Sequence, residues 1–209
     1  MGLKGIFGRI KKKIELSQYN RFTITEYFRK QGAQIGERCS IIPRWLGDEP
    51  YLIKIGNDVT IADGVSFITH DGGVWIFRKE IPNIQVFGPI IIEDNCVIGQ
   101  NAILFPNIRI GKNSIVGAGS VVISDIPPNS IALGIPARVF SSTDKYKEKC
   151  IARWNEQFPK DCIIEEGANW WSSRHLKDNR EKLKKHLMKL FWEDKTQNNK
   201  TQEQKVEIP

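Results

Sequence analysis

Branched apolar residues fall at Ile92, Ile98, Leu104, Ile110, Val116 and Val122, six apart without a slip, and glycine follows directly at Gly99, Gly111 and Gly117. The run divides as IEDNCV, IGQNAI, LFPNIR, IGKNSI, VGAGSV, VISDIP. Upstream, IGNDVT and IADGVS begin at Ile55 and Ile61, Phe67 keeps their frame, and an earlier copy, IGERCS, begins at Ile35. The step from Ile41 to Ile55 is not a multiple of six, which implies a two-residue insertion around RWLGDEPYL.

A six-residue period does not fit a helix and is too regular for loops. It suits short strands broken by turns, with alternate side chains pointing in and out, and with Gly, Asn and Asp tolerating the dihedrals the turns require. Three such units make one triangular turn, successive turns stack at the ~4.8 Å strand spacing, and the apolar residue of each unit stacks on its equivalent to give a continuous core.

These hexapeptides, followed by SDIPPNSIALGIPARVF, resemble those of the hexapeptide-repeat acyltransferases, closest to the maltose, galactoside, xenobiotic and capsular polysaccharide O-acetyltransferase types. The resemblance spans roughly Ala33 to Phe140 and implies an all-β core with helical appendages, a left-handed parallel β-helix. That handedness comes from the resemblance, since general chirality rules favour right-handed crossovers. The expected organisation is a basic N-terminal helical segment (1–32), the β-helix (33–140) with a loop insertion at 73–91, a helical C-terminal extension (141–194) and a polar tail (195–209) that reads as disordered.

The loop begins where the register is lost. FITHDG completes a unit from Phe67, then nineteen residues pass before Ile92 restarts the frame. Long excursions from a regular scaffold are usually functional or disordered, and this one carries Trp75, Phe77 and Phe87, which suits packing, for instance against a neighbouring subunit. The HDGG at its base would hold His70 at the scaffold edge. A neutral imidazole is the usual general base near neutral pH. In the resembled family a histidine at the matching position takes a proton from the acceptor hydroxyl, which then attacks the thioester of acetyl-CoA directly. A histidine that only caps a turn is the alternative. Asp71 reads either as a turn residue or as a substrate-binding contact to sugar hydroxyls, and the group that orients His70 is not legible.

For the donor, the resemblance places the pantetheine arm of acetyl-CoA along the later turns, between subunits of a homotrimer. It carries binding roles to Gln100, to Gly117 and Ala118 in GAGS, and to Arg138 in GIPAR. The glycines are equally explained by corners that leave no room for a side chain. Relatives often place a tryptophan one residue before the isoleucine of the IG pair. This chain has Val97 there, so no stacking on the arm is supplied.

Only three histidines occur, and His175 and His186 fall in a polar C-terminal helix, so the three-histidine metal site of β-helical carbonic anhydrases is excluded and no metal is expected. The four cysteines are scattered, without a C-x-x-C pair, and read as reduced thiols. The net charge of +7 suits an anionic partner without choosing one. No base-reading motif accompanies the basic helices, so nucleic acid is not expected. No apolar run is long enough to span a bilayer, the basic N-terminus does not read as a secretory signal, and a cytoplasmic location is expected.

At the N-terminus, Thr23-x-x-Glu26 has the spacing of a capping box and Gly32 that of a helix stop. Ahead of it, Ile6, Phe7, Ile10, Ile14 and Leu16 lie near helical spacing with Lys11, Lys12 and Lys13 between them. This pattern reads as a helix packed on the end of the β-helix, or as one in peripheral contact with the inner membrane face. Asp144–Gln157 and Ser173–Trp192 read as helices. The function expected is acetyl-CoA-dependent O-acetylation of a carbohydrate, a surface polysaccharide or its precursor, with His70 as base. N-acetylation of a nucleotide-linked amino sugar and a non-catalytic assembly scaffold are the alternatives.

Overall fold

The computed structural model describes residues 3–157 and 180–193. The expectations for Trp170, Trp171, His175, Leu176 and the tail from 195 fall outside them.

Each six-residue unit gives a strand of two or three residues, and each third strand pairs with its equivalent. The first sheet stacks β1 (Gln34–Ile35), β3 (Ile53–Ile55), β6 (Ile90–Ile92) and β9 (Ile108–Ile110). The second stacks β2 (Ser40–Ile41), β4 (Thr60–Ile61), β7 (Val97–Ile98), β10 (Ile115–Val116) and β12 (Ser130–Leu133), and the third β5 (Ser66–Phe67), β8 (Ile103–Leu104) and β11 (Val121–Val122). All these pairings are parallel, in the registers Ile55–Ile92–Ile110, Ile61–Ile98–Val116 and Phe67–Leu104–Val122. The side chains at those positions are buried and form one continuous core. The chain is therefore a three-sided parallel β-helix.

The corners explain the polar half of the repeat. Asn95, Asn101, Asn107 and Asn113, again six apart, take φ between 56° and 60°, a left-handed conformation that asparagine tolerates better than most residues. Asn95 Nδ2 donates to Asn113 Oδ1 at 2.9 Å, and Asn113 Nδ2 to Asn129 Oδ1 at 2.9 Å, so one corner carries an amide ladder. At Gly99 a Cβ would lie 2.5 Å from the Ala118 nitrogen of the next turn. Close approach of backbones demands glycine there.

Both interruptions of the period occur at corners. After Ile41, Leu46 returns to the core, so the extra residues lie beyond it, where Glu49 precedes a short 3-10 helix, Pro50–Leu52. The large loop differs from the expected 73–91. His70 and Phe87 form an antiparallel bridge, and Ile90 and Ile91 already belong to β6, so the excursion runs over residues 71–86. Cross-strand pairing across the loop base sets these limits.

The ends of the stack also differ from expectation. The N-terminal end is covered by α2 (Ile24–Lys30), which buries Ile24, Tyr27 and Phe28. The earlier helix, α1 (Leu3–Ser17), packs on the core through Leu16 at its C-terminal end, while Ile10 and Ile14 are exposed, so only part of the expected face meets the stack. The capping box is not formed. Thr23 makes no side-chain cap, and Asn20 Oδ1 instead accepts from the Phe22 and Thr23 nitrogens. At the other end β13 (Arg138–Ser142) turns back antiparallel on β12, so strand structure continues two residues past the expected limit at 140.

The described residues group into two units, 1–146 and 147–209. A third helix, α3 (Thr143–Gln157), begins in the first, and the second contains α4 (Arg180–Met188), followed by a π-helical turn at Lys189–Glu193; the expected helix start at Ser173 lies outside the described residues. Among the described residues no helix is long and apolar enough to cross a membrane.

Stacked core positions should be far more sensitive than their outward neighbours. Leu104→Ala, at a fully buried site, should cost about 2–5 kcal/mol. Val97→Ala, at an exposed strand position, should cost under about 1 kcal/mol. Chemical denaturation of both variants checks the contrast.

Candidate active site

His70 follows β5 at the corner between the third and first sheets, immediately after the buried Thr69. The loop base is pinned on both sides of it: Gly88 N donates to Thr69 O at 2.9 Å, and Asp71 N to Val86 O at 2.9 Å. The ring meets Phe87 edge-on, with centroids 6.4 Å apart. Its other neighbour comes from the first insertion, which lies one turn earlier in the stack. Glu49 Oε2 sits 3.0 Å from His70 Nδ1 and accepts from Thr69 Oγ1 at 2.5 Å. The Glu49 side chain is 13% exposed and that of His70 44%, so the carboxylate is sheltered and the imidazole is reachable.

This arrangement fixes the chemistry of the ring. Burial pushes the Glu49 carboxyl up, but hydrogen bonds from Thr69 and His70 outweigh it and hold the acid below its ordinary value. An ionised carboxylate only accepts, so Nδ1 carries the hydrogen and Nε2 is left with its lone pair. The hydrogen bond to Glu49 raises the His70 pKa above its ordinary value, against a smaller opposing effect of burial. The ring is held as a base somewhat stronger than free imidazole. Beside it lies a pocket of about 320 Å³, walled by Glu49, His70, Val74, Trp75, Arg78 and Phe87 among others.

Asp71 also lines this pocket, and one of its oxygens accepts from Gly73 N at 2.8 Å, starting the 3-10 helix Gly72–Phe77. Its turn role is thus visible. Neither Glu49 nor Arg78 was among the sequence candidates. Glu49 breaks no pattern except the period itself, and the two-residue insertion was the available signal.

The other candidates lie on a different corner. Gln100, Gly117 and Ala118 occupy the turns after β7 and β10, stacked so that Gly119 N donates to Gln100 O at 2.8 Å. Gln100 and Ala118 are exposed, and a Cβ on Gly117 would collide with Leu133. Arg138 is exposed at the start of β13, opposite Leu133, with one guanidinium nitrogen donating to Ala137 O at 3.0 Å. Within one chain the structure therefore brings His70 and Asp71 together, and separately Gln100, Gly117, Ala118 and Arg138. Val97 is exposed on the outer face of β7.

Thiol chemistry is not offered by the β-helix. Cys39 and Cys96 are buried and free, and burial pushes both thiols up, Cys96 to about 11. Among the described residues no group of three or more His, Cys, Asp or Glu side chains could hold a metal.

Residues 89–124 match the family model described as "Hexapeptide repeat of succinyl-transferase". The chain is 48% identical over 143 residues to Protein CapG of Staphylococcus aureus, a match covering 67% of this chain and 83% of that one. It is 32% identical over 152 residues to the galactoside O-acetyltransferase of Lactococcus lactis, covering 59% and 72%. The crystal structure of a maltose O-acetyltransferase from Clostridium difficile aligns with a TM-score of 0.45 at 25% identity, over 68% of this chain and 89% of that one. Several other acetyltransferases are matched over less than half of their own length. The chain belongs to the hexapeptide-repeat acyltransferases.

A base held by Glu49 gives a defined pH response. Neutral His70 is fully present above its folded pKa and is lost as pH falls through it. The acid limb of acyl transfer should therefore bend above the ordinary histidine value of about 6.5, and Glu49→Gln should move that bend to lower pH, as read from log kcat/KM against pH.

Proposed function

We propose that this chain is an acetyl-CoA-dependent O-acetyltransferase acting on a carbohydrate hydroxyl, a surface polysaccharide or its precursor. His70 Nε2 takes the proton from the acceptor hydroxyl while that oxygen forms a bond to the thioester carbonyl carbon. The tetrahedral intermediate then collapses, the carbon–sulfur bond breaks, and the coenzyme A thiolate recovers the proton from the imidazolium. Glu49 is a positioning residue, holding the tautomer and favouring the imidazolium that forms. The observation that carries this reading is the Glu49–His70 contact at the wall of an open pocket.

Donor binding is assigned to Gln100, Gly117, Ala118 and Arg138, and an acceptor contact to Asp71. Because these groups occupy separate corners of one chain, a homotrimer would let the donor corner of one subunit face the His70 corner of the next. A left-handed winding and a cytoplasmic location complete the proposal. The acceptor class is supported by the galactoside O-acetyltransferase among the similar proteins, as its name states.

With a glycan acceptor and acetyl-CoA, followed by release of free thiol, His70→Ala should lose roughly 10²–10⁴-fold in turnover. Wild-type rates in that variant would remove His70 from the mechanism. Acetyl-CoA at ~100 times its dissociation constant should stabilise the protein by about 2.7 kcal/mol. Absence of a thermal shift would argue against this donor.

A further inference from the structure

The wall of the His70 pocket contains a cation that the protein itself does not answer. Arg78 ends the 3-10 helix Gly72–Phe77, and its guanidinium carbon lies 4.3 Å from the centroid of the Trp75 ring. Its Nε is shielded from solvent yet has no hydrogen-bond partner, and among the described residues the guanidinium enters no ion pair. Buried donors are nearly always satisfied, so an orphan of this kind calls for an acceptor that is not part of the fold. The two acids of the pocket do not supply it. Glu49 is engaged by Thr69 and His70, and an oxygen of Asp71 is engaged by Gly73 N. The positive charge therefore stays uncompensated within a pocket shared with His70.

A guanidinium stacked on an aromatic face is held in one plane. Its N–H groups, the unpaired Nε among them, form a fork that matches the two oxygens of a carboxylate or phosphate. We propose that Arg78 recognises an anionic group on the acceptor, a carboxylate or a phosphate carried by the sugar whose hydroxyl meets His70. This specificity role rests on the reading of the pocket as the acceptor site. It makes the preferred acceptor an acidic or phosphorylated glycan unit. Trp75 is 68% exposed, so the ring that carries the guanidinium lies open to solvent.

The test is equilibrium binding, by calorimetry on the full chain, of galacturonate and glucuronate against galactose and glucose, with inorganic phosphate as a further probe. Saturable binding of an anion is expected, with the neutral hexoses at least about tenfold weaker. Arg78→Gln and Arg78→Lys should each weaken the anion by about tenfold, the scale of losing a charge-assisted, two-pronged hydrogen bond. Binding of hexuronates alone assigns a carboxylate, and binding of phosphate alone a phosphoryl group. If no anion binds up to tens of millimolar, or if anions bind both Arg78 variants as well as the wild type, the proposal is overturned. Thermal midpoints of the variants show that they are folded, and Arg78→Lys keeps the charge if the glutamine variant is unstable. The underlying reading fails separately, by wild-type turnover in His70→Ala, whereas loss of anion discrimination with His70 still required overturns only the role of Arg78.

Discussion

The structure depends on one coupling: the same six-residue period that stacks aliphatic side chains inside the prism also aligns backbone donors and acceptors between turns. Gly99 N bonds Val116 O, and Gly117 N bonds Ala132 O, because Ile98, Val116 and Ala132 occupy equivalent inward positions. A residue added within a strand would turn every later side chain inside out. Added residues are therefore confined to corners, where the chain can leave and return without disturbing the register. Both insertions obey that limit, and they converge: the first supplies Glu49 and the second, from its base, His70.

That convergence separates rigidity from access. Thr69 is buried against the stack and holds Glu49, and Glu49 in turn holds one nitrogen of the imidazole. The ring itself lines the loop pocket. Positioning thus comes from the regular scaffold, while the walls of the pocket come from the irregular segment, whose Trp75, Ile76 and Phe77 remain exposed. Variation in such a loop can reshape the pocket without moving the imidazole.

Much of this was legible in the residues, and the limits follow from physics. The inward positions from Ile55 to Val122 were readable because burial is enforced at every sixth residue. The asparagines are explained by the same period, since the corner dihedral recurs with it. His70 was legible as the last residue before register is lost. Glu49 was not, because its partner is distant in sequence and the contact exists only once two turns are stacked. Arg78 was hidden for a similar reason: an unpaired donor is a property of packing. The Thr23–Glu26 spacing misled because the Thr23 nitrogen bonds the carboxamide oxygen of Asn20, three residues earlier, and the Glu26 nitrogen bonds the Thr23 carbonyl rather than its hydroxyl. Of the apolar set in the first helix, Leu16 packs on the core while Ile10 and Ile14 are exposed, because helical spacing reports a face without reporting how far its cover extends.

The reversal of β13 against β12 has a consequence beyond this chain. A repeat of this kind resembles a one-dimensional crystal, in which each layer templates the next and nothing in the period says where to stop. An antiparallel strand with irregular register ends the second sheet, and a helix lies against the first strand of the first sheet, so that regular growth is blocked at these edges. The length of such a column is set by its caps rather than by its repeat, and a covered edge offers no template for end-to-end pairing.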